Sequence, residues 1–125
     1  AAPDVRAAAL DALRSGPAAR GVPRIHLAAK SDATPSVRLT AIATAALRPT
    51  SPELVALLAD RVERDDEDVV RRAAFLRLDE LCPYDAGACA ELDRIEKSGV
   101  EVARRLAAEL RSKASREHAS RTGAR

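Results

Sequence analysis

Tryptophan and methionine are absent from the chain, and there is one phenylalanine (Phe75) and one tyrosine (Tyr84) in 125 residues. A surface that stacks single-stranded nucleic acid needs several exposed rings, so this scarcity argues against one. No apolar run approaches the ~18–20 residues that span a bilayer. No charged-then-apolar leader segment is present either. Cysteine is limited to Cys82 and Cys89. Zinc sites use closer Cys spacing and two more ligands, and His26 and His118 are remote in sequence. G-x-S-x-G, a Gly-rich phosphate loop and H-E-x-x-H are all missing. The expectation is a chain with no enzymatic activity, no metal and no cofactor. The lack of methionine points to a piece processed or excised from something longer.

What remains is a core of Ala, Leu, Val and Ile, in a chain that is 46% hydrophobic and 32% charged. Those proportions are ordinary for one globular domain. The net charge of +2 is unevenly spread. Residues 111–125 carry five basic side chains and one acidic, so the rest of the chain is slightly negative.

Order appears as a repeat. Val5, Val37, Val70 and Val102 each open an Ala/Leu/Arg-rich run, at intervals of 32, 33 and 32 residues. A period in this range predicts a solenoid of two-helix units. Counting five on from each valine gives Leu10, Ile42, Phe75 and Ala107; counting eight gives Leu13, Ala45, Leu78 and Leu110. These offsets share one face of a helix, so they predict four amphipathic helices with matching stripes, over 3–16, 35–49, 68–83 and 100–113. They are the B helices. Between them the sequence predicts A helices at 22–30, 52–64 and 86–97. The second has Ser51 as N-cap and Pro52 in the first turn; the third is capped by Asp85. Gly21 and Pro23 shorten the first. The units are then a half repeat at 1–16, followed by 17–49, 50–83 and 84–112. Residues 113–125 read as a basic, disordered tail.

Asp32 precedes Val37-Arg38, and Asp65 precedes Val70-Arg71, each Asp six before its Arg. This D-x-x-x-x-V-R pattern before an Ala-rich helix resembles the HEAT-like repeats, and among them the short variant of phycobilin lyase subunits and bacterial scaffold proteins. In the fourth copy Ser98 stands six before Arg104. The resemblance covers roughly residues 3–112. It implies an all-α, right-handed α-solenoid (α-α superhelix) of about three and a half helical hairpins. It also implies that Asp32, Arg38, Asp65 and Arg71, with Arg6, form a ladder tying repeats together. Tetratricopeptide and ankyrin signatures do not fit, since there is no Trp and no T-P-L-H-x-A.

In such solenoids the B helices line the concave face. The residues pointing off the core stripe are Asp11, Arg14, Arg72, Asp79, Arg104 and Arg111, with Leu39 and Leu47 in the second repeat. That is a groove with a greasy middle and charged flanks, suited to a protein or peptide. Function is therefore expected to be protein–protein scaffolding within a larger protein. A nucleic-acid-binding HEAT-like module is the alternative, disfavoured by the negative body, as is an accessory subunit resembling phycobilin lyases. The leading B helix has no A helix to cover it, so that end is expected to meet upstream residues or another chain. Asp65-Asp66-Glu67-Asp68 lacks the alternating ligands, Gly turn and distal Glu of a calcium loop, and suits a helix start instead. Cys82 and Cys89 flank the turn CPYDAGAC. Buried free thiols imply a cytoplasmic protein; a disulfide across the turn implies an extracytoplasmic one.

Overall fold

Proline and short polar caps punctuate the chain into helices. Pro3, Pro35 and Pro52 each sit in a first turn, where a missing N–H costs no hydrogen bond. Ser51 Oγ accepts the Leu54 N–H at 3.1 Å, and Asp85 Oδ1 accepts the Ala88 N–H at 3.1 Å, the capping bonds the sequence predicts. The computed structural model describes residues 2–117. Its elements are α1 (Pro3–Asp11), α2 (Ala18–Ser31), α3 (Pro35–Ala46), α4 (Pro52–Arg64), α5 (Asp68–Leu81), α6 (Ala86–Glu96) and α7 (Glu101–Leu110). Short 3-10 turns, Ala12–Arg14 and Cys82–Tyr84, follow α1 and α5. The fold is all-α, of the α-solenoid class. The chain divides into two compact units, Ala1–Leu57 and Leu58–Arg125, and α4 crosses the boundary in sequence.

In the first unit, α1 and α2 both pack on α3. The stripe falls where its period puts it: Val37, Ala41, Ile42 and Ala45 of α3 are buried, as are Ile25 and Ala29 of α2. Helix α2 is longer than the sequence suggests and carries Pro23 inside it. Pro23 lies near the helix start, so few backbone bonds are lost, and the buried Ile25 and Ala29 favour the helical run. Gly21 permits a close approach: a Cβ there would lie 3.3 Å from the Leu13 carbonyl oxygen. Gly16, at φ 134°, makes the turn between α1 and α2 in a conformation that L side chains resist.

In the second unit, α5, α6 and α7 pack on one another. Phe75, Leu78, Leu92, Ile95, Ala103 and Ala107 have no exposed surface. Cys82 and Cys89 are joined by a disulfide. The first residues of the expected tail are ordered. Residues 113–117 are helical, started by Ser112, whose Oγ accepts the Ser115 N–H at 3.1 Å. Ser115 is fully buried, so this stretch belongs to the fold. His118 and the remainder of the basic tail lie outside the described residues.

Candidate functional site

The Asp–Arg pairs form a local clasp at the start of α3 and of α5. Asp32 Oδ1 accepts the Thr34 N–H at 2.9 Å, while Arg38 Nη1 reaches back to the Asp32 carbonyl at 2.7 Å. In the second unit the same two bonds recur. Asp65 Oδ1 accepts the Glu67 N–H at 3.0 Å, and Arg71 donates to the Asp65 carbonyl at 2.7 Å. Once more along the chain, Ser98 Oγ accepts the Val100 N–H at 3.0 Å and Arg104 donates to the Ser98 carbonyl at 2.8 Å. The fourth copy therefore keeps the clasp with serine replacing aspartate. Residues 38, 71 and 104 stand at equal steps, a signal that alignment on the valines obscures.

Arg6 and Asp32 tie successive repeats together. Arg6 of α1 donates through Nε to Asp32 Oδ2 at 2.9 Å and through Nη2 to Oδ1 at 3.1 Å, with Thr34 Oγ1 a third acceptor. Bidentate guanidinium–carboxylate pairs are stronger than single contacts. The Arg6 guanidinium holds the Asp32 carboxyl below the usual carboxylate range. A depressed folded pKa stabilises the fold above the unfolded value, near about 3.9, and that stability is lost as pH falls through the folded value. Asp32→Asn is accordingly expected to lower stability at neutral pH and to flatten the acid limb of the first unit. Circular dichroism melts between pH 5 and pH 2 provide the check; an unchanged slope would count against the pairing.

Sequence reasoning missed two further arginines. Arg48, just after α3, donates to the carbonyls of Leu13 at 3.1 Å and Gly16 at 3.0 Å, anchoring the turn after α1. Arg61 is buried and bonded to Asp60 at 2.7 Å and Asp65 at 3.2 Å. Arg48 follows the end of α3 by two residues and has no marker in the repeat period; Arg61 lies in the last turn of α4, and Asp60-Arg61 recurs 33 residues on as Asp93-Arg94.

The expected groove residues are placed unequally. In the first unit, Asp11 and Arg14 are exposed and pair loosely at 3.8 Å. Leu39 is half-buried on α3, and Leu47 at its C-terminal end is 64% exposed. In the second unit the charged residues are already engaged. Arg72 makes two parallel 3.0 Å bonds to Glu109 and one of 2.6 Å to Asp68, linking α5 to α7; these carboxylates raise its pKa. Asp79 accepts the Ser112 N–H at 3.0 Å, and Arg104 is held by its clasp. Arg111 is a correction to its expected exposed position. Its side chain is 2% exposed, with Nη1 2.7 Å from Asp93 and 3.3 Å from Glu96. It is the C-cap of α7 with extended backbone, φ −63° and ψ 125°, so the helical register that placed it outside no longer applies.

No cluster of His, Cys, Asp and Glu among the described residues is placed to hold a metal ion. No described helix is long and apolar enough to cross a membrane. His26 lines an apolar cavity of about 610 Å³ with Ile25, Pro49 and Leu54. Burial there lowers its pKa, partly offset by Glu53.

The family model for HEAT repeats matches residues 1–79. The chain belongs to the HEAT repeat family, a class of helical-repeat proteins that generally mediate protein–protein interaction. No curated protein and no solved structure matches it.

Proposed function

We propose that this protein is a non-enzymatic interaction scaffold, and that a protein partner docks on the B-helix surface of α3. The observation that carries this is a pair of apolar side chains with solvent-facing surface on one helix, the half-buried Leu39 and the exposed Leu47 two turns further on, with Asp11 and Arg14 exposed in the same unit. Exposed apolar side chains with mixed charge in the same unit fit a protein-binding surface. The state of the arginines favours protein over nucleic acid. Arg72 and Arg111 are neutralised by carboxylates and Arg104 is bound to a carbonyl, so they do not form a row free to bind phosphates. The disulfide supports an oxidising, extracytoplasmic setting.

The test is affinity capture with the wild-type chain and with Leu39→Glu/Leu47→Glu, quantified by mass spectrometry. Both positions have solvent-facing surface, so the variant is expected to fold, with an unchanged far-UV spectrum. Partners that depend on this surface are expected to fall at least about tenfold, the effect of charging an apolar contact. Equal recovery of every captured protein would sink the assignment.

A further inference from the structure

Two polar side chains of the first unit, His26 of α2 and Glu53 of α4, line the same apolar cavity. Among the described residues, neither has a hydrogen-bond or ion-pair partner. The cavity, of about 610 Å³, lies inside this unit between α2, the end of α3 and the first turn of α4. Its apolar wall includes Ile25, Ala45 and Leu54, each no more than 3% exposed. Small-molecule sites are commonly of this size and kind, mostly apolar with a few convergent polar groups.

The histidine is specific to this place. At successive 33-residue steps the chain carries Ala59 and Leu92, both buried. Of the three A helices, α2 alone has a polar side chain at that register. A half-buried imidazole with no partner gives up hydration and gains no hydrogen bond, so packing supplies no reason for it. Burial holds the ring neutral near pH 7, which leaves one nitrogen able to accept. Glu53 is close enough to act on that ring electrostatically. Arg48 also lines the cavity. Its Nη1 and Nη2 already donate to the carbonyls of Leu13 and Gly16, however, and its Nε is closed to solvent. Glu53 is left as the charged group with an open hydrogen-bonding edge.

We propose that this cavity binds a small primary amine with an apolar body. Its ammonium donates to Glu53 and His26, and the body lies against Ile25, Ala45 and Leu54. Charge-assisted hydrogen bonds give the head group its sign: a carboxylate ligand meets repulsion from Glu53, and an alcohol forgoes the ion pair. This activity goes beyond scaffolding and needs no protein partner. It shares no residue with the surface at Leu39 and Leu47, so either reading can fail alone.

The test is isothermal titration calorimetry of the intact chain at neutral pH, with three probes of one skeleton: naphthylethylamine, naphthylethanol and naphthylacetate. The amine is expected to bind saturably, at least about tenfold more tightly than the alcohol or the carboxylate. Glu53→Gln is expected to abolish that preference, weakening the amine at least about tenfold and leaving the alcohol unchanged. His26→Leu is expected to weaken the amine as well. Glu53 is exposed, and the register of His26 holds apolar residues in the later repeats, so both variants are expected to keep wild-type far-UV spectra. A capped Gly-Lys-Gly peptide tests the other source of an alkylammonium, a protein side chain. It is expected to bind more weakly than the naphthyl amine, because it lacks an apolar body. Absence of saturable amine binding, equal affinity for amine and alcohol, or amine binding indifferent to Glu53→Gln would overturn the proposal. So would tighter binding of the carboxylate or of the lysine peptide.

Discussion

Phe75→Ala is expected to lower the stability of the second unit by about 3–5 kcal/mol, among the largest effects of any single truncation in this chain. Phe75 has no exposed surface and sits at the register that holds Ile42 in the first unit and Ala107 in α7. It is the sole phenylalanine in a core otherwise made of aliphatic side chains. Small neighbours cannot swell into the space a ring leaves, so the cavity persists and its cost adds to the lost transfer energy. The measurement is thermal unfolding by circular dichroism, with an expected fall in melting temperature of more than about 10 °C. Tyr84→Ala is the matched control. Tyr84 is 89% exposed and its removal is expected to change little. Equal shifts for the two variants would show that the ring at position 75 is not a core element.

The second large effect concerns the disulfide. Cys82 and Cys89 are seven residues apart. Closing so short a loop restricts the unfolded chain by an amount worth about 2–3 kcal/mol in the chain-entropy account. Both cysteines are buried, between the end of α5 and the body of α6, so the bond also fixes how one helix leads into the next. A Cys82→Ala/Cys89→Ala variant is expected to melt lower than the oxidised wild type and to ignore reductant. Wild type is expected to lose stability on prolonged reduction under partly denaturing conditions. Rapid thiol labelling of the unreduced protein, or a melting temperature indifferent to reductant, would refute the pairing.

The helices were legible because their ends carry local chemistry. Pro35, Pro52, Ser51 and Asp85 act within one turn of themselves, and a period-3.6 stripe needs only a covered face. The beginning of α2 was less legible because Gly21 and Pro23 weaken a helix intrinsically, and only the burial of Ile25 and Ala29 outweighs that. The candidate surface was legible in part. Leu39 and Leu47 stand out as apolar where the other repeats are charged. The arginines were harder to place: a helical wheel reports direction but not what stands opposite. Arg72 points away from the core and meets Glu109 from α7. Arg111 was misplaced because the wheel was carried one residue beyond the helix. Ser112 and Ser115 gave no periodic signal at all, since their contacts arise from the stretch after α7 folding onto its own unit.

The clasp at α3, α5 and α7 has a consequence for how such a chain can grow. Arg38, Arg71 and Arg104 close on a backbone carbonyl six residues back in the same repeat. A carbonyl is present whatever residue occupies the position, and so the clasp survives the change from Asp65 to Ser98. A repeat that carries its own lock can be duplicated, lost or moved in a gene without leaving that arginine short of an acceptor. Side-chain pairs such as Arg6 with Asp32 instead need two adjacent repeats to change together.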